Sequence, residues 1–277
     1  MANRENRKKI AEDTLAILDK GYYENSKGET IKLTELQEKS KSLTKVYSPA
    51  MSDQLLTTLD LDNINSTTEI TVAHQSTLAA VLELIAQGHK DTLCLNFASA
   101  KNPGGGFLGG SQAQEESLAR STGLYDCQLK AAEYYETNRN TKSCVYTDYM
   151  IYSPFVPIIK NDAGQYLDEI TYCGIITAPA VNTGIVSQRE PDRLGEVEDI
   201  MKRRIKKVLA IALENKHSVI VLGAWGCGVF RNNPIDIASY FHEILSTTFK
   251  DKFDKIVFAI YSKNEKFIRP FIDKFDS

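Results

Sequence analysis

The sequence predicts an α/β layered sandwich, with a mixed, mostly parallel sheet covered by helices on both faces. Two observations carry that prediction. From residue 69 onward, short and nearly continuous apolar runs alternate with longer segments of helical periodicity. Strands without a polar side must be buried on both faces, which helices packed above and below provide. A third observation places the function: two of these strands run directly into glycine-rich loops, and such sheets bind ligands beyond the carboxyl ends of their strands.

Residues 6–20 set Ile10, Leu15, Ile17 and Leu18 among charges, predicting an amphipathic helix that Gly21 stops. Residues 21–66 are polar and turn-rich, with the short run TIKL and a helix expected over 52–60. Residues 1–66 read as an N-terminal extension packing on a core of residues 67–277. In that core, EITVA (69–73) is a strand and STLAAVLELIAQG a helix ended by Gly88. DTLCLNFAS (91–99) is the strand that enters the first glycine loop. After it, a helix is expected to start at Ser111 and to continue through SLARSTGLYDCQLKAAEYYE.

CVYTDYMIYSPFVPII (144–159) reads as strand and hairpin, its prolines favouring edges or turns. YCGIITAPAV (172–181) is a buried strand, and EVEDIMKRRIKKVLAIALENK a helix. SVIVLGAWGCGVF (218–230) is a strand entering the second glycine loop. A helix (235–245), a last strand (255–262) and a short terminal helix complete the chain.

Composition excludes several function classes. A net charge of −3 argues against general nucleic-acid binding through a basic surface. The five cysteines are odd in number and far apart, which reads as reduced thiols in a cytosol-like compartment. Four scattered histidines without ligand spacing give no sign of a metal site. No apolar run reaches the roughly 20 residues needed to span a bilayer. The charged N-terminus lacks a signal-peptide core, so a cytoplasmic location with no membrane contact is expected.

The first loop places Gly104, Gly105 and Gly106 before a helix start, where Ser111 and Gln114 have capping-box spacing. Glycine there lets backbone amides approach an anion. The second loop, GAWGCGVF (223–230), adds Trp225 and Phe230 as flat apolar walls. Neither loop is a G-x-G-x-x-G or P-loop fingerprint, which weakens the reading of a Rossmann-like nucleotide enzyme. Glu115 and Glu116 follow the first loop. Acidic residues in a first turn complement the helix dipole without further role. Adjacent helical residues also point about 100° apart, so one carboxylate can face a bond while its neighbour binds a hydroxyl.

Gly104-Gly105-Gly106, seven residues, then Gln114-Glu115-Glu116 resembles the signature of the poly(ADP-ribose) glycohydrolases. NFASAKNPGGGFLGGSQAQEESL, TAPAVN (177–182) and LGAWGCGVFRN (222–232) resemble the microbial-type branch in order and spacing. The resemblance spans roughly residues 69–262. It implies a macrodomain fold, poly(ADP-ribose) or ADP-ribosylated proteins as substrate, ADP-ribose as product, and no cofactor or metal. It makes Glu116 the catalytic acid that protonates the leaving ribose oxygen and then activates water. Glu115 holds ribose hydroxyls, while Gly104–Gly106 and the loop of Gly226, Cys227, Gly228 and Val229 surround the diphosphate. Phe230 packs against the terminal ribose, Tyr261 lies where adenine can stack, and Gln114 and Asn102 are further substrate contacts. Where relatives outside this branch carry asparagine, this chain has Ala100. Burial by Phe107, Leu108 and Phe230 together with the pyrophosphate charge favours a protonated Glu116.

In the microbial branch a segment before the macrodomain caps the terminal ribose and favours cleavage from chain ends. The helix at residues 6–20 fits that role or simple packing equally. Two other functions fit the same pocket: a binding module without catalysis, and a hydrolase of another ADP-ribosyl linkage. A binding module would need no positioned acid. Cys227, with no histidine near it in sequence, reads as a small packed residue and not as a nucleophile.

Overall fold

The computed structural model describes residues 3–61 and 67–276. Its strands are β1 (Tyr22–Glu24), β2 (Thr30–Lys32), β3 (Lys45–Tyr47), β4 (Glu69–Ala73), β5 (Leu93–Phe97), β6 (Met150–Lys160), β7 (Tyr166–Ala178), β8 (Val219–Leu222) and β9 (Lys255–Ala259). The helices are α1 (Arg4–Lys20), α2 (Thr34–Leu43), α3 (Pro49–Thr58), α4 (Thr77–Ala86), α5 (Gln114–Ser121), α6 (Leu124–Lys130), α7 (Ala132–Asn140), α8 (Thr183–Arg189), α9 (Val197–Glu214), α10 (Pro234–Ser246) and α11 (Arg269–Phe275).

Seven strands form one sheet in the order β3-β6-β7-β5-β8-β9-β4. The five from β7 to β4 are parallel, while β3 and β6 pair antiparallel at one side. Strand alternation divides the parallel part between two cores. Leu93, Leu95, Ile220, Leu222, Ile256 and Phe258 face α9 and α10, in a core that also holds Ile205, Leu209 and Phe241. Cys94, Val219, Val221, Val257 and Ala259 face the other way, onto Leu78 and Val81 of α4, Leu118 of α5 and Leu124 of α6. Helices therefore cover both faces, as the apolar strands require.

Three sequence expectations are corrected. The helix after the first glycine loop begins at Gln114 with Ala113 at its cap position and no capping hydrogen bond, so Ser111 does not cap it. That helix is also not continuous but broken into α5, α6 and α7. Thr122 bridges Ile158, and the Gly123 amide donates to Pro157 O at 2.9 Å, so the chain leaves the helix to pair with β6. The third concerns residues 21–66, read as turn-rich with a helix over 52–60: besides that helix, which spans 49–58, they hold β1, β2 within the TIKL run, α2 and the edge strand β3. The division between residues 66 and 67 adjoins segment 62–66, which lies outside the described residues.

The prolines of β6 obey the edge rule locally. Strand β3 pairs only with residues 150–152, and a register shift between Ser153 and Val156 brackets Pro154. Pro154 and Pro157 thus lie past the end of β3, where a missing N–H leaves no β3 carbonyl unmatched.

Helix α1 lies against α5 and the first glycine loop. Arg4 Nε donates to Gly109 O at 2.9 Å and Arg7 Nε to Gly110 O at 2.8 Å. Farther along, the buried Lys160 donates to Thr14 Oγ1 at 2.6 Å and to Ile10 O at 3.0 Å, and pairs with Asp13 at 2.7 Å. The helix thus braces the loop from outside.

Candidate active site

The site lies beyond the carboxyl ends of β5, β7, β8 and β9, where parallel pairing brings the loops after these strands to one edge. Gln114 anchors it. Its Oε1 accepts from Phe97 N at 2.8 Å, and its Nε2 donates to Leu95 O at 2.7 Å and Thr77 Oγ1 at 3.1 Å. These bonds tie the first turn of α5 to the end of β5, so the next two residues are aimed from a fixed base. Gln114 borders the adjoining cavity, but its amide is committed to the protein.

Glu115 points inward and is 3% exposed. Its Oε2 accepts from Ser99 N at 2.6 Å, and its Oε1 accepts from Gln128 Nε2 at 2.9 Å and Asn96 Nδ2 at 3.2 Å. Burial pushes this carboxyl up to about 7, against the lowering effect of its three donors; the charge of Glu116 pushes the same way as burial. Glu116 is half-buried. Its Oε1 accepts from Gly106 N at 3.0 Å, and its Oε2 has no partner among the described residues. Two adjacent carboxylates therefore sit in opposite environments, one enclosed and one held by a single oxygen. That difference suits separate roles in acid/base chemistry.

The glycine loop is shaped around these carboxylates. Gly105 has φ +58°, and a methyl group there would come within 2.5 Å of Glu116 Oε1 and 3.2 Å of Glu115 Oε2. The Gly105 amide donates to Asn102 O at 3.0 Å, and that of Gly106 to Glu116. These two amides thus hold the loop and the Glu116 carboxylate. Gly104 is buried, and a Cβ there would meet the Phe107 ring. Phe107 is itself fully buried against Tyr125, and Leu108 is exposed. Asn102 is exposed, with its backbone N–H donating to Ser99 Oγ at 3.1 Å.

The second loop offers what the first does not. Asn232 Nδ2 donates to Gly226 O at 3.1 Å and Val181 O at 2.8 Å, which fixes the turn at Gly226. The amides of Gly228, Val229 and Phe230 have no acceptor among the described residues, and Gly228 and Val229 are exposed. Three successive uncommitted N–H groups are donors that an anionic ligand could use. Phe230 packs against Tyr146 with ring centroids 6.0 Å apart. Trp225 is not a wall: it is fully buried, its indole donating to Ala178 O at 3.3 Å. Cys227 is buried, and burial pushes its thiol up to about 12, so it is no nucleophile near neutral pH.

A cavity of about 730 Å³ adjoins the site, bordered by Phe97, Cys227, Gly228 and Tyr261 and also by Arg7 and Ile10 of α1. Tyr261 is 63% exposed, its ring 6.1 Å from that of His74 and stacked on it. Among the described residues, no group of three or more His, Cys, Asp or Glu side chains is placed to hold a metal ion. The sequence reading missed Asn96, Ser99 and Gln128, which hold Glu115. Asn96 left a signal, as the one polar residue inside the apolar strand LCLNF. Gln128 left none.

Comparison with known proteins bears on this geometry. The family model for the microbial-type PARG catalytic domain matches residues 11–161. The poly(ADP-ribose) glycohydrolase of Thermomonospora curvata superposes with a TM-score of 0.94 at 35% identity, covering 98% of this chain and all of that one. The chain belongs to this family. The same T. curvata protein bound to the inhibitor ADP-HPD matches at 34% identity and a TM-score of 0.91, again over 98% of this chain and all of that one. The Deinococcus radiodurans glycohydrolase in complex with ADP-ribose matches at 37% identity and a TM-score of 0.82, over 89% of this chain and 98% of that one. No curated protein matches the chain. The sheet and helices are therefore the PARG macrodomain-like architecture, as the resemblance implied. Among the described residues no helix is long and apolar enough to cross a membrane.

Proposed function

We propose that this PARG-family glycohydrolase cleaves the ribose–ribose bonds of poly(ADP-ribose) from chain ends, with Glu116 as acid and then base. The observation that carries the reading is the pair of contrasting carboxylates: Glu116 held by one oxygen, Glu115 enclosed by three donors. Glu116 gives its proton to the leaving ribose oxygen as the bond to the anomeric carbon breaks, the electron pair leaving with that oxygen. The anionic Glu115 and the diphosphate stabilise the positive charge that develops at the anomeric carbon. Water then adds to that carbon and returns a proton to Glu116. The route needs no metal.

In this reading the diphosphate rests on the amides of Gly228, Val229 and Phe230, with Phe230 beside the terminal ribose and adenine in the cavity beside Tyr261. Asn102 contacts a ribose from the rim. Helix α1, whose Arg7 and Ile10 border that cavity, closes one end of it and favours chain termini. ADP-ribosylated proteins in the cytoplasm are the natural source of substrate, and the acidic balance of the chain gives no general affinity for nucleic acid.

The test incubates the protein with an auto-poly(ADP-ribosyl)ated acceptor, chelator present, and measures released ADP-ribose beside Glu116→Gln. Release by the wild type and not by the variant is expected. No release from either, with ADP-ribose still bound, would instead identify a binding module or a hydrolase of another linkage.

A further inference from the structure

We infer that Gln128 is a positioning residue for this reaction: its buried amide, with that of Asn96, serves Glu115 in both of its protonation states and governs when that carboxyl ionises. The inference rests on the reading of Glu115 and Glu116 given above. Gln128 is fully buried on α6, the helix whose Leu124 and Cys127 pack into the apolar core. Its Nε2 has one partner, Glu115 Oε1 at 2.9 Å, and its Oε1 has none among the described residues. A buried amide with an unmatched oxygen is costly, and an apolar side chain of equal size would avoid the cost. What the amide supplies in exchange is a donor to Glu115.

Asn96 repeats the arrangement. Its Nδ2 donates to Glu115 Oε1 at 3.2 Å and Thr177 Oγ1 at 3.1 Å, and its Oδ1 is buried without a partner among the described residues. An ionised Glu115 uses both amides as donors. A protonated Glu115 needs an acceptor for its O–H, and turning one amide end for end presents the unmatched oxygen to it. The third group on the carboxyl, Ser99 N, can only donate.

The titratable groups facing Glu115 are few. Glu116 adjoins it on α5, and Tyr134 and Tyr135 face it from α7, both tyrosines being buried and shifted upward by that burial and by the Glu115 charge. Asn96 on β5, Thr177 on β7, Ser99 after β5 and Gln128 on α6 carry no charge. Among the described residues no cation is paired with Glu115, so neutral donors carry the stabilisation of its anion. The anionic form of Glu115 is the one the proposed mechanism uses to stabilise positive charge at the anomeric carbon.

The experiment compares wild type and Gln128→Met, which keeps size and removes the amide. The acidic limb of kcat/KM against pH is expected to move upward by about one unit, a tenfold change in the ionisation constant. ADP-ribose affinity at pH 9 should be retained. A uniform loss of kcat/KM at all pH values, with the limb unmoved, would overturn the inference. A second measurement needs no variant at Gln128 and no turnover. In wild-type protein carrying 13C-labelled glutamate, the carboxyl signal that disappears in Glu115→Gln should titrate near neutrality, and titration below pH 5 would overturn the inference. Absence of ADP-ribose release by the wild type would instead count against the proposed function.

Discussion

The bare Cα of Gly105 faces the carboxylate of Glu116 so closely that a single methyl group would lie 2.5 Å from Oε1. The neighbouring Gly106 amide holds the same oxygen at 3.0 Å. The glycine loop before the paired glutamates is thus a mould for the Glu116 carboxylate, and its glycines are there for contact as well as conformation.

Gly105→Ala should therefore damage catalysis more than stability. The left-handed backbone at φ +58° costs a non-glycine residue roughly 1–2 kcal/mol. The methyl group also forces the Glu116 carboxylate from its seat, and a displacement of about 1 Å at a catalytic group can lower the rate about 100-fold. Steady-state release of ADP-ribose beside a thermal melt checks both parts; a variant with full activity would show that the contact is unimportant.

Replacing Glu116 by glutamine keeps the shape and removes the transferable proton. Loss of a general acid lowers turnover by about 100- to 10,000-fold, so kcat should fall within that range. ADP-ribose affinity, measured by calorimetry, should change less than threefold on the order-of-magnitude view that an exposed oxygen contributes little to product binding.

Glu115 makes stability depend on pH. Its folded-state carboxyl titrates at about 7, above its ordinary 4.5, because burial disfavours the anion. A group raised on folding contributes stability that is complete below the unfolded value and lost as pH rises through the folded one. Between about pH 4.5 and 7 the wild type should lose roughly 3 kcal/mol that Glu115→Gln does not lose. Urea unfolding of both proteins across that window gives the difference directly.

Asp148 predicts the opposite pH dependence. It receives Arg203 Nε at 2.6 Å, Arg204 Nε at 2.8 Å and Lys207 Nζ at 3.1 Å, and Arg204 and Lys207 are fully buried. Burial works to raise its carboxyl, but these three cations outweigh it and hold the group well below the usual carboxylate range. Its contribution is present above the unfolded value and disappears as pH falls toward the folded one. Asp148→Asn leaves buried cations without their shared anion and should destabilise the fold by about 3–5 kcal/mol, seen as a lower Tm.

Cys227→Ala should leave turnover within about twofold of wild type, because a buried thiol titrating near 12 takes no part in the chemistry. Loss of activity on treatment with iodoacetamide, absent in Cys227→Ala, would contradict this.

The sequence by itself determined the sheet, the glycine loops and the place of the paired carboxylates. Apolar strands such as VIVL and LCLNF can be buried only between two layers of helices, and the glycines beside Glu115-Glu116 mark the strand end where they gather. These are local signals, written in residues close together along the chain. What the tertiary structure decided is how each carboxylate is held. Asn96, Ser99 and Gln128 reach Glu115 from 19, 16 and 13 residues away. They do so only because α5 is tied to β5 by Gln114 and because the helix after it breaks at Thr122 to pair with β6. That break depends on the strand β6 being in place, a long-range contact that no local pattern around Thr122 encodes. Periodicity reports which faces of an element are buried, but the ionisation of a buried carboxyl depends on which donors other elements bring to it.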